Sequence, residues 1–318
     1  MLIPRFVAWM FPFGLMVLGA GVVSGQDYPN KPIRIVTGAS GGGGDFASRL
    51  IGQGLTDRLG QQVVVDNRGN IAGEIVSKAP PDGYTLLVEG ASFWIAPLLQ
   101  KTPYDPVRDF APITVAVSTP NILAVHPSVT ANSVKELIAL AKARPGALNY
   151  ASGGTGGSAH LAGELLKAMA GVNIVHIPYR GTGPAVTALI GGQVQLMLAN
   201  AAAVTPHVKS GRLRALAVAS AQPSALAPGL PTMATSGLPD FESVLMLGIF
   251  APARTPATLI DRLNQEIVRV LNGADVKAKL FAAGVEPVGS SPKEFAATLK
   301  SDMAKWGKVI KDAGIRAD

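Results

Sequence analysis

The chain has 318 residues, of which 48% are hydrophobic and 15% charged, so it is long enough for two domains and too apolar to stay disordered. Its formal charge is +7, spread without Lys/Arg clusters or interleaved aromatics, which argues against a nucleic-acid partner and leaves a mild pull on anions. The absence of cysteine excludes disulfides, Cys-ligated metals, thiol nucleophiles and the cysteine of a bacterial lipoprotein.

The N-terminus reads as a secretory signal over residues 1–25. One charge, Arg5, precedes an uncharged apolar stretch from Phe6 to Val23, and Val23-Ser24-Gly25 suits a cleavage site before Gln26. The competing reading is an uncleaved anchor, since an apolar stretch of about 18 residues nearly spans a bilayer. Small residues at the end of the stretch and two prolines in the segment, Pro4 and Pro12, favour cleavage. The +7 charge less that of Arg5 leaves +6 on the mature chain. No second spanning run follows, so a soluble exported chain is expected, compatible with a bacterial periplasm.

From there strand-like and helix-like segments alternate. "IRIVTG" predicts a strand, and "DFASRLIGQGLTDRLG" a helix with Phe46, Leu50, Ile51 and Leu55 on one face. "QQVVVDN" predicts a buried strand, "EIVSKA" a short helix and "DGYTLLVEG" a strand. "ITVAVSTPNILAVHP" predicts two β pieces split at Pro120, and "SVKELIALAKARPG" a helix capped by Ser133 with Glu136 in the capping-box position. "ALNYAS", "NIVHIPY", "VQLMLAN", "LRALAVAS" and "VLMLGIFAPA" read as strands. "SAHLAGELLKAMAG", "GPAVTALIGG", "PATLIDRLNQEIVRVLNG", "ADVKAKLFAAG" and "PKEFAATLKSDMAKWGKVIKDAG" read as helices. This alternation predicts an α/β fold with mainly parallel sheets.

One unit occurs twice. A strand, a Gly-rich loop and a helix appear in "IRIVTGASGGGGDFASRLIGQGL" and again in "LNYASGGTGGSAHLAGELLKAMA". Both loops carry Gly-x-Gly-x-x-Ala, at Gly42, Gly44, Ala47 and at Gly154, Gly156, Ala159. Such loops lie beyond the carboxyl ends of strands, where ligands bind in open α/β sheets. Bare backbone there offers N–H donors at a positive helix end, a place for an anion. A connecting turn alone needs one or two glycines, not four.

Other chemistries fit less well. The glycine pattern resembles a dinucleotide fingerprint, with Asp66 placed to meet a ribose, but it occurs twice and only the first copy has such an acid. No Gly-Lys-Ser/Thr follows either loop, so a phosphate-binding P-loop is excluded. His126, His160, His176 and His207 have no i, i+4 pairing or acid cluster to bind a metal, and His126 and His176 read as structural. Ser158 and His160 lie close together without a Gly-x-Ser-x-Gly elbow. Asp45, just after the glycines, suits either an N-terminal cap or a contact to a ligand hydroxyl or amine. No catalytic residue, metal or cofactor is expected.

The stretches "YPNKPIRIV", "GGGGDFASRL", "QQVVVDNR", "PDGYTLL", "PYDPVRDFAPI", "NYASGGTGGSAHLAGELL", "VHIPYRGTGPAVTALIGGQVQLM", "GRLRALAV" and "GIFAPARTPATLIDRLNQEI" together resemble the substrate-binding receptors of tripartite tricarboxylate transporters, the Bug family, over Tyr28 to Gly314. The resemblance implies a two-lobed periplasmic-binding-protein fold of type II-like form, each lobe a mainly parallel sheet flanked by helices, with a cleft between. It implies a non-enzymatic, monomeric receptor that closes on a small carboxylate (a di- or tricarboxylate, amino acid or aromatic acid) and delivers it to membrane permease subunits; a sensor without transport is the alternative. Lobe one is expected at 26–122 plus 247–318 and lobe two at 123–246, with crossings near Thr119–Leu123 and Leu245–Ile249.

Residue by residue, the resemblance places ligand contacts at Gly41, Gly42, Gly43 and Asp45, at Ala91 and Ser92, and at Ser152, Gly153, Gly154, Thr155 and Gly156. Tyr179, Gly181 and Asn200 line the same cleft. Backbone amides do much of the work in such receptors, and arginine clamps are not typical. This chain departs from the family at Ser40 and Gly44, where Pro and Thr are usual, and in a loop cut to Gly69-Asn70. It also carries Glu89, Phe93 and Trp94 where small polar residues are usual, and lacks a frequent acid in "VQLMLAN". Phe93 and Trp94 are read as packing rather than as ligand contacts.

Overall fold

The computed structural model describes residues 28–38, 40 and 43–315. The signal expected at 1–25, together with Gly41 and Gly42, lies outside the described residues.

Strand β1 (Ile33–Thr37) leads through the first glycine loop into helix α1 (Gly43–Leu59). Strand β2 (Val63–Asn67), a 3-10 turn at Gly69–Ile71, helix α2 (Ala72–Ser77), strand β3 (Thr85–Gly90) and helix α3 (Ala91–Leu99) follow. Strand β4 (Phe110–Val125) is long. Beyond it come α4 (Val134–Ala143), β5 (Asn149–Ser152), α5 (Ser158–Ala170), β6 (Val175–Pro178), α6 (Thr182–Ile190), β7 (Leu196–Asn200), α7 (Ala201–Lys209) and β8 (Arg214–Val218). Strand β9 (Val244–Pro252), α8 (Ala257–Leu271), α9 (Ala274–Ala282), the two-residue β10 (Glu286–Pro287) and α10 (Pro292–Ala313) complete the order.

The strands hydrogen-bond in the order β2-β1-β3-β9-β4-β7-β5-β6, with β8 and β10 also on β4. The pairs β1–β2, β1–β3, β5–β6 and β5–β7 are parallel. The middle is not: β9 runs antiparallel to β3 and β4, and β4 antiparallel to β7, β8 and β10. The expected parallel arrangement therefore describes the outer strands alone.

Strand β4 joins the two parallel regions. Phe110–Pro120 pairs with β9, whereas Asn121–Val125 pairs with β7 and β8. The expected split at Pro120 does not occur, because the fixed φ of proline suits an extended chain. Pro120 instead marks where the pairing changes partners.

Several other expectations change. Helix α1 buries Ala47, Ser48, Ile51 and Leu55, while Phe46, one residue off that stripe, is 41% exposed. Strand β2 was expected to be buried, yet it is the edge strand and leaves Val64 exposed. The Ser133 side chain caps α4 by accepting from the Glu136 amide, as expected, but the Glu136 carboxylate reaches back to the amide of Asn132. Helices α3 and α7 were not foreseen, and each carries an internal proline, Pro97 or Pro206.

Helix α10 packs on α3, α5 and β4. Its Trp306, Phe295 and Leu299 join Phe93, Trp94, Phe110 and Phe250 in one buried cluster. Phe93 stacks on Tyr104, and Trp94 Nε1 donates to Asp302 Oδ2 at 2.8 Å. Both aromatics therefore serve as packing.

Candidate ligand-binding site

A cavity of about 300 Å³ lies at the carboxyl ends of β1 and β3. Its polar wall includes Thr37, Gly38, Asp45, Glu89, Ser92 and Ser158, and its apolar wall Ile95, Leu161, Leu247 and Trp306. A second, more open space of about 680 Å³ shares Ser92, Ile95 and Gly156 with it and continues past Gly154, Thr155, Tyr179 and Arg180. The N-terminal turns of three helices reach the smaller cavity, through Gly44 and Asp45 of α1, Ala91 and Ser92 of α3, and Ser158 of α5. These turns carry backbone N–H groups without intrahelical partners and a partial positive charge. Among the described residues no Lys, Arg or His lines the smaller cavity.

Local contacts fix the first loop. Asp45 accepts from Asn67 Nδ2 at 3.1 Å and pairs with Arg49 Nε at 2.9 Å, while Asn67 also donates to the Gly38 carbonyl. Asp45 is therefore both a cavity wall and a tie between α1 and the end of β2. Asp66, the residue that suited a ribose, is already engaged by Arg34 Nε at 2.7 Å and Arg68 Nε at 2.9 Å. Burial works against its charge, but these two bonds hold the carboxyl below its ordinary range.

The second loop rests on a polar stack in which Tyr150 and His160 are buried and His176 is half-buried. His160 and His176 lie ring on ring, 3.9 Å apart, with Tyr150 stacked beyond His176. The Gly156 amide donates to His160 Nδ1 at 2.9 Å, so that nitrogen carries no proton. Ser152 Oγ lies 2.7 Å from His176 Nε2 and also meets the Gly154 amide and carbonyl. Burial lowers the affinity of both imidazoles for a proton, and the neighbouring His160 ring helps to bring His176 down to a pKa of about 4. Behind them Glu164 accepts from the Tyr150 hydroxyl and pairs with Lys167 at 2.8 Å. At the point where β4 changes partners, buried Asn121 donates to Ser158 Oγ and Ser243 Oγ, placing Ser158 at the cavity.

The expected contacts thus separate into groups. Asp45, Ala91, Ser92 and Gly156 line the smaller cavity, and Gly154, Thr155 and Tyr179 the adjoining space. Gly43 opens α1. Ser152, Gly153 and Gly181 form the scaffold of the second loop: the Gly181 amide donates to the Gly153 carbonyl at 3.0 Å, and the Tyr179 amide to the Ser152 carbonyl at 2.9 Å. Asn200 lines neither of these two spaces. It caps α7 by accepting from the Ala203 amide, and it lines a separate pocket with His207 and Arg212.

Sequence reasoning missed Ser158, Trp306, Ile95 and Leu247 as cavity walls. A position in the first turn of α5 was the available signal for Ser158. Nothing marked Trp306, because a tryptophan on a helix's apolar face reads as core. Among the described residues no group of three His, Asp or Glu could hold a metal, and no helix is long and apolar enough to cross a membrane.

Residues 47–315 match the model of the tripartite tricarboxylate transporter family receptor. The chain belongs to that family. It is 36% identical over 314 residues to the protein BugT of Bordetella pertussis (strain Tohama I), covering 95% of this chain and 96% of that one. A structure of an R. palustris protein with adipate is similar at 35% identity and a TM-score of 0.75, over 91% of this chain and 99% of that one. The structure of the periplasmic binding protein BugD is similar at 33% identity and a TM-score of 0.73, over 92% and 100%. The family is one of receptors, and the fold is the two-lobed α/β fold of periplasmic solute-binding proteins.

Proposed function

We propose that this chain is exported by its N-terminal signal, captures a small carboxylated solute between its two lobes and hands it to the membrane permease of a tripartite tricarboxylate-type transporter. The observation that carries this reading is the cavity walled by the first turns of α1, α3 and α5, with no Lys or Arg among the described residues of its lining. Positive potential for a carboxylate then comes from helix ends, each contributing about 0.3–1 kcal/mol when exposed and up to about 2 kcal/mol when partly buried. The adipate held by the R. palustris relative supports the ligand class.

The ligand contacts assigned here are Asp45, Ala91, Ser92, Gly154, Thr155, Gly156 and Tyr179, with Gly41–Gly43 at the first loop and Ser152, Gly153 and Gly181 as the scaffold of the second. The lobes divide as 26–122 plus 247–318 and 123–246. The change of β4 partners at Pro120–Asn121 and the bonds from Asn121 to Ser243 and from Ser243 to Ala219 support crossings close to those boundaries. The receptor acts as a monomer in the periplasm.

Thermal unfolding with a panel of mono-, di- and tricarboxylates against NAD tests the reading, since a ligand of the native state raises the melting temperature by mass action. Stabilisation by at least one carboxylate and none by NAD is expected. Stabilisation by NAD alone would overturn it, and Asp66, held by Arg34 and Arg68, gives no support to that outcome.

A further inference from the structure

The smaller cavity holds two acids. Asp45 is ion-paired with Arg49 at 2.9 Å. Glu89 is not paired: among the described residues no Lys, Arg or His balances its charge, and its stabilising contact is the backbone of Gly90. It stands at the carboxyl end of β3, paired in register with Gly248, and its Oε1 lies against Gly38, 3.4 Å from where a methyl group added there would sit. Burial raises its pKa to about 7, which is the cost of keeping a lone carboxylate among apolar walls.

We propose that Glu89 sets the class of ligand, selecting a solute that carries a cationic nitrogen as well as a carboxylate. The proposal rests on the capture of a carboxylate argued above and adds the second half of the molecule. A carboxylate seated on the helix ends leaves the rest of the ligand between the apolar wall of Ile95, Leu161, Leu247 and Trp306 and the Glu89 carboxyl. An ammonium group supplies the charge that Glu89 lacks. A second carboxylate there would face both Glu89 and Asp45, and like charges in a partly buried site repel strongly. The other ionisable neighbour is Tyr104, whose hydroxyl donates to the Phe93 carbonyl and whose pKa burial and Glu89 push up to about 12, so it stays neutral. Lys305, on α10, is taken by Asp302 and lies over the Trp306 ring at 4.7 Å, outside the cavity lining.

The proposal predicts a sign for pH. An ammonium ligand needs the ionised form of Glu89, whose population rises about tenfold from pH 6 to pH 8 for a pKa near 7. The affinity of an ammonium carboxylate should rise by up to that factor, and that of a dicarboxylate should fall.

The test is calorimetry on the full mature chain with matched ω-amino carboxylates, dicarboxylates and monocarboxylates of four to six carbons, at pH 6 and pH 8. In the wild type at pH 8, the best ω-amino carboxylate should bind at least about tenfold more tightly than its matched dicarboxylate. Glu89→Gln should remove that preference and its pH dependence, and Glu89→Asp should keep part of both, with the melting temperature of each unliganded variant reported as a control on the fold. A dicarboxylate binding as tightly as its ω-amino partner at pH 8, or a preference unchanged in Glu89→Gln, overturns the proposal while leaving carboxylate capture standing. No binding by any member, together with no stabilisation by the wider carboxylate panel, overturns both.

Discussion

Substitution of Gly153 by alanine probes how the second loop is held. The Gly153 carbonyl accepts from the Gly181 amide, stitching the loop to the start of α6. A methyl group on Gly153 would lie 2.8 Å from the Thr182 amide nitrogen, 3.0 Å from the Gly181 carbonyl carbon and 3.1 Å from Thr182 Oγ1. The hydroxyl can rotate away, but the two backbone atoms cannot, so the loop and the first turn of α6 must part. Overpacking of this kind costs about 1–3 kcal/mol. With about 2–4 °C lost per kcal/mol in chains of 150–250 residues, the melting temperature of the unliganded protein should fall by roughly 2–12 °C. The control is Gly183→Ala, one position into α6, where an added methyl meets nothing within 4 Å. Alanine there should be neutral or stabilising by up to about 1 kcal/mol. Thermal unfolding followed by circular dichroism reads both. A Gly153→Ala protein melting within about 1 °C of the wild type would refute the close-approach argument, since the expected loss is at least about twice that.

Removing Arg68 or Arg180 should weaken carboxylate binding by less than about tenfold each, near 1.4 kcal/mol, because Arg68 is committed to Asp66 and Arg180 lines only the outer space; a thousandfold loss by calorimetry in either alanine variant would replace the helix-end mechanism with a charge clamp. Acid should loosen the second loop. His176 titrates lower in the folded chain than in the unfolded one, so its neutral ring contributes stability above pH of about 6.5 that is lost as pH falls towards 4. Discounted for partial exposure, the loss is about 1 kcal/mol by pH 5. Urea unfolding of wild type and His176→Gln at pH 7 and pH 5 should show a shallower pH dependence in the variant, and equal slopes would contradict the assignment.

Much of this protein is legible from local pattern alone. The two strand, Gly-rich loop and helix units have a periodicity of two followed by one of 3.6, and that change needs no partner to be read. Caps such as Ser133 and Ser291 act within a turn, so short-range spacing announces them. Helix α3 escaped because its N-cap, Gly90, offers no side-chain acceptor and Pro97 interrupts it, so only burial of Phe93, Trp94 and Ile95 against the core holds it as a helix. Helix α7 had a signal, the Asn200 cap, which suited a ligand contact equally well until the Ala203 amide claimed its oxygen.

The sequence by itself determined the α/β alternation, the two glycine loops at strand ends and the absence of an arginine inside either of them. Only the tertiary structure decided that β4 runs unbroken through Pro120 and changes partners there, because strand pairing is a contact between residues far apart in the chain. It also decided that Trp306, distant in sequence from both loops, walls the cavity, and that Asp66 is neutralised while Glu89 is not. Whether an acid is paired depends on which cations the folded chain brings within a few ångströms, and burial then sets what a lone charge costs; neither quantity exists until the chain has closed around it.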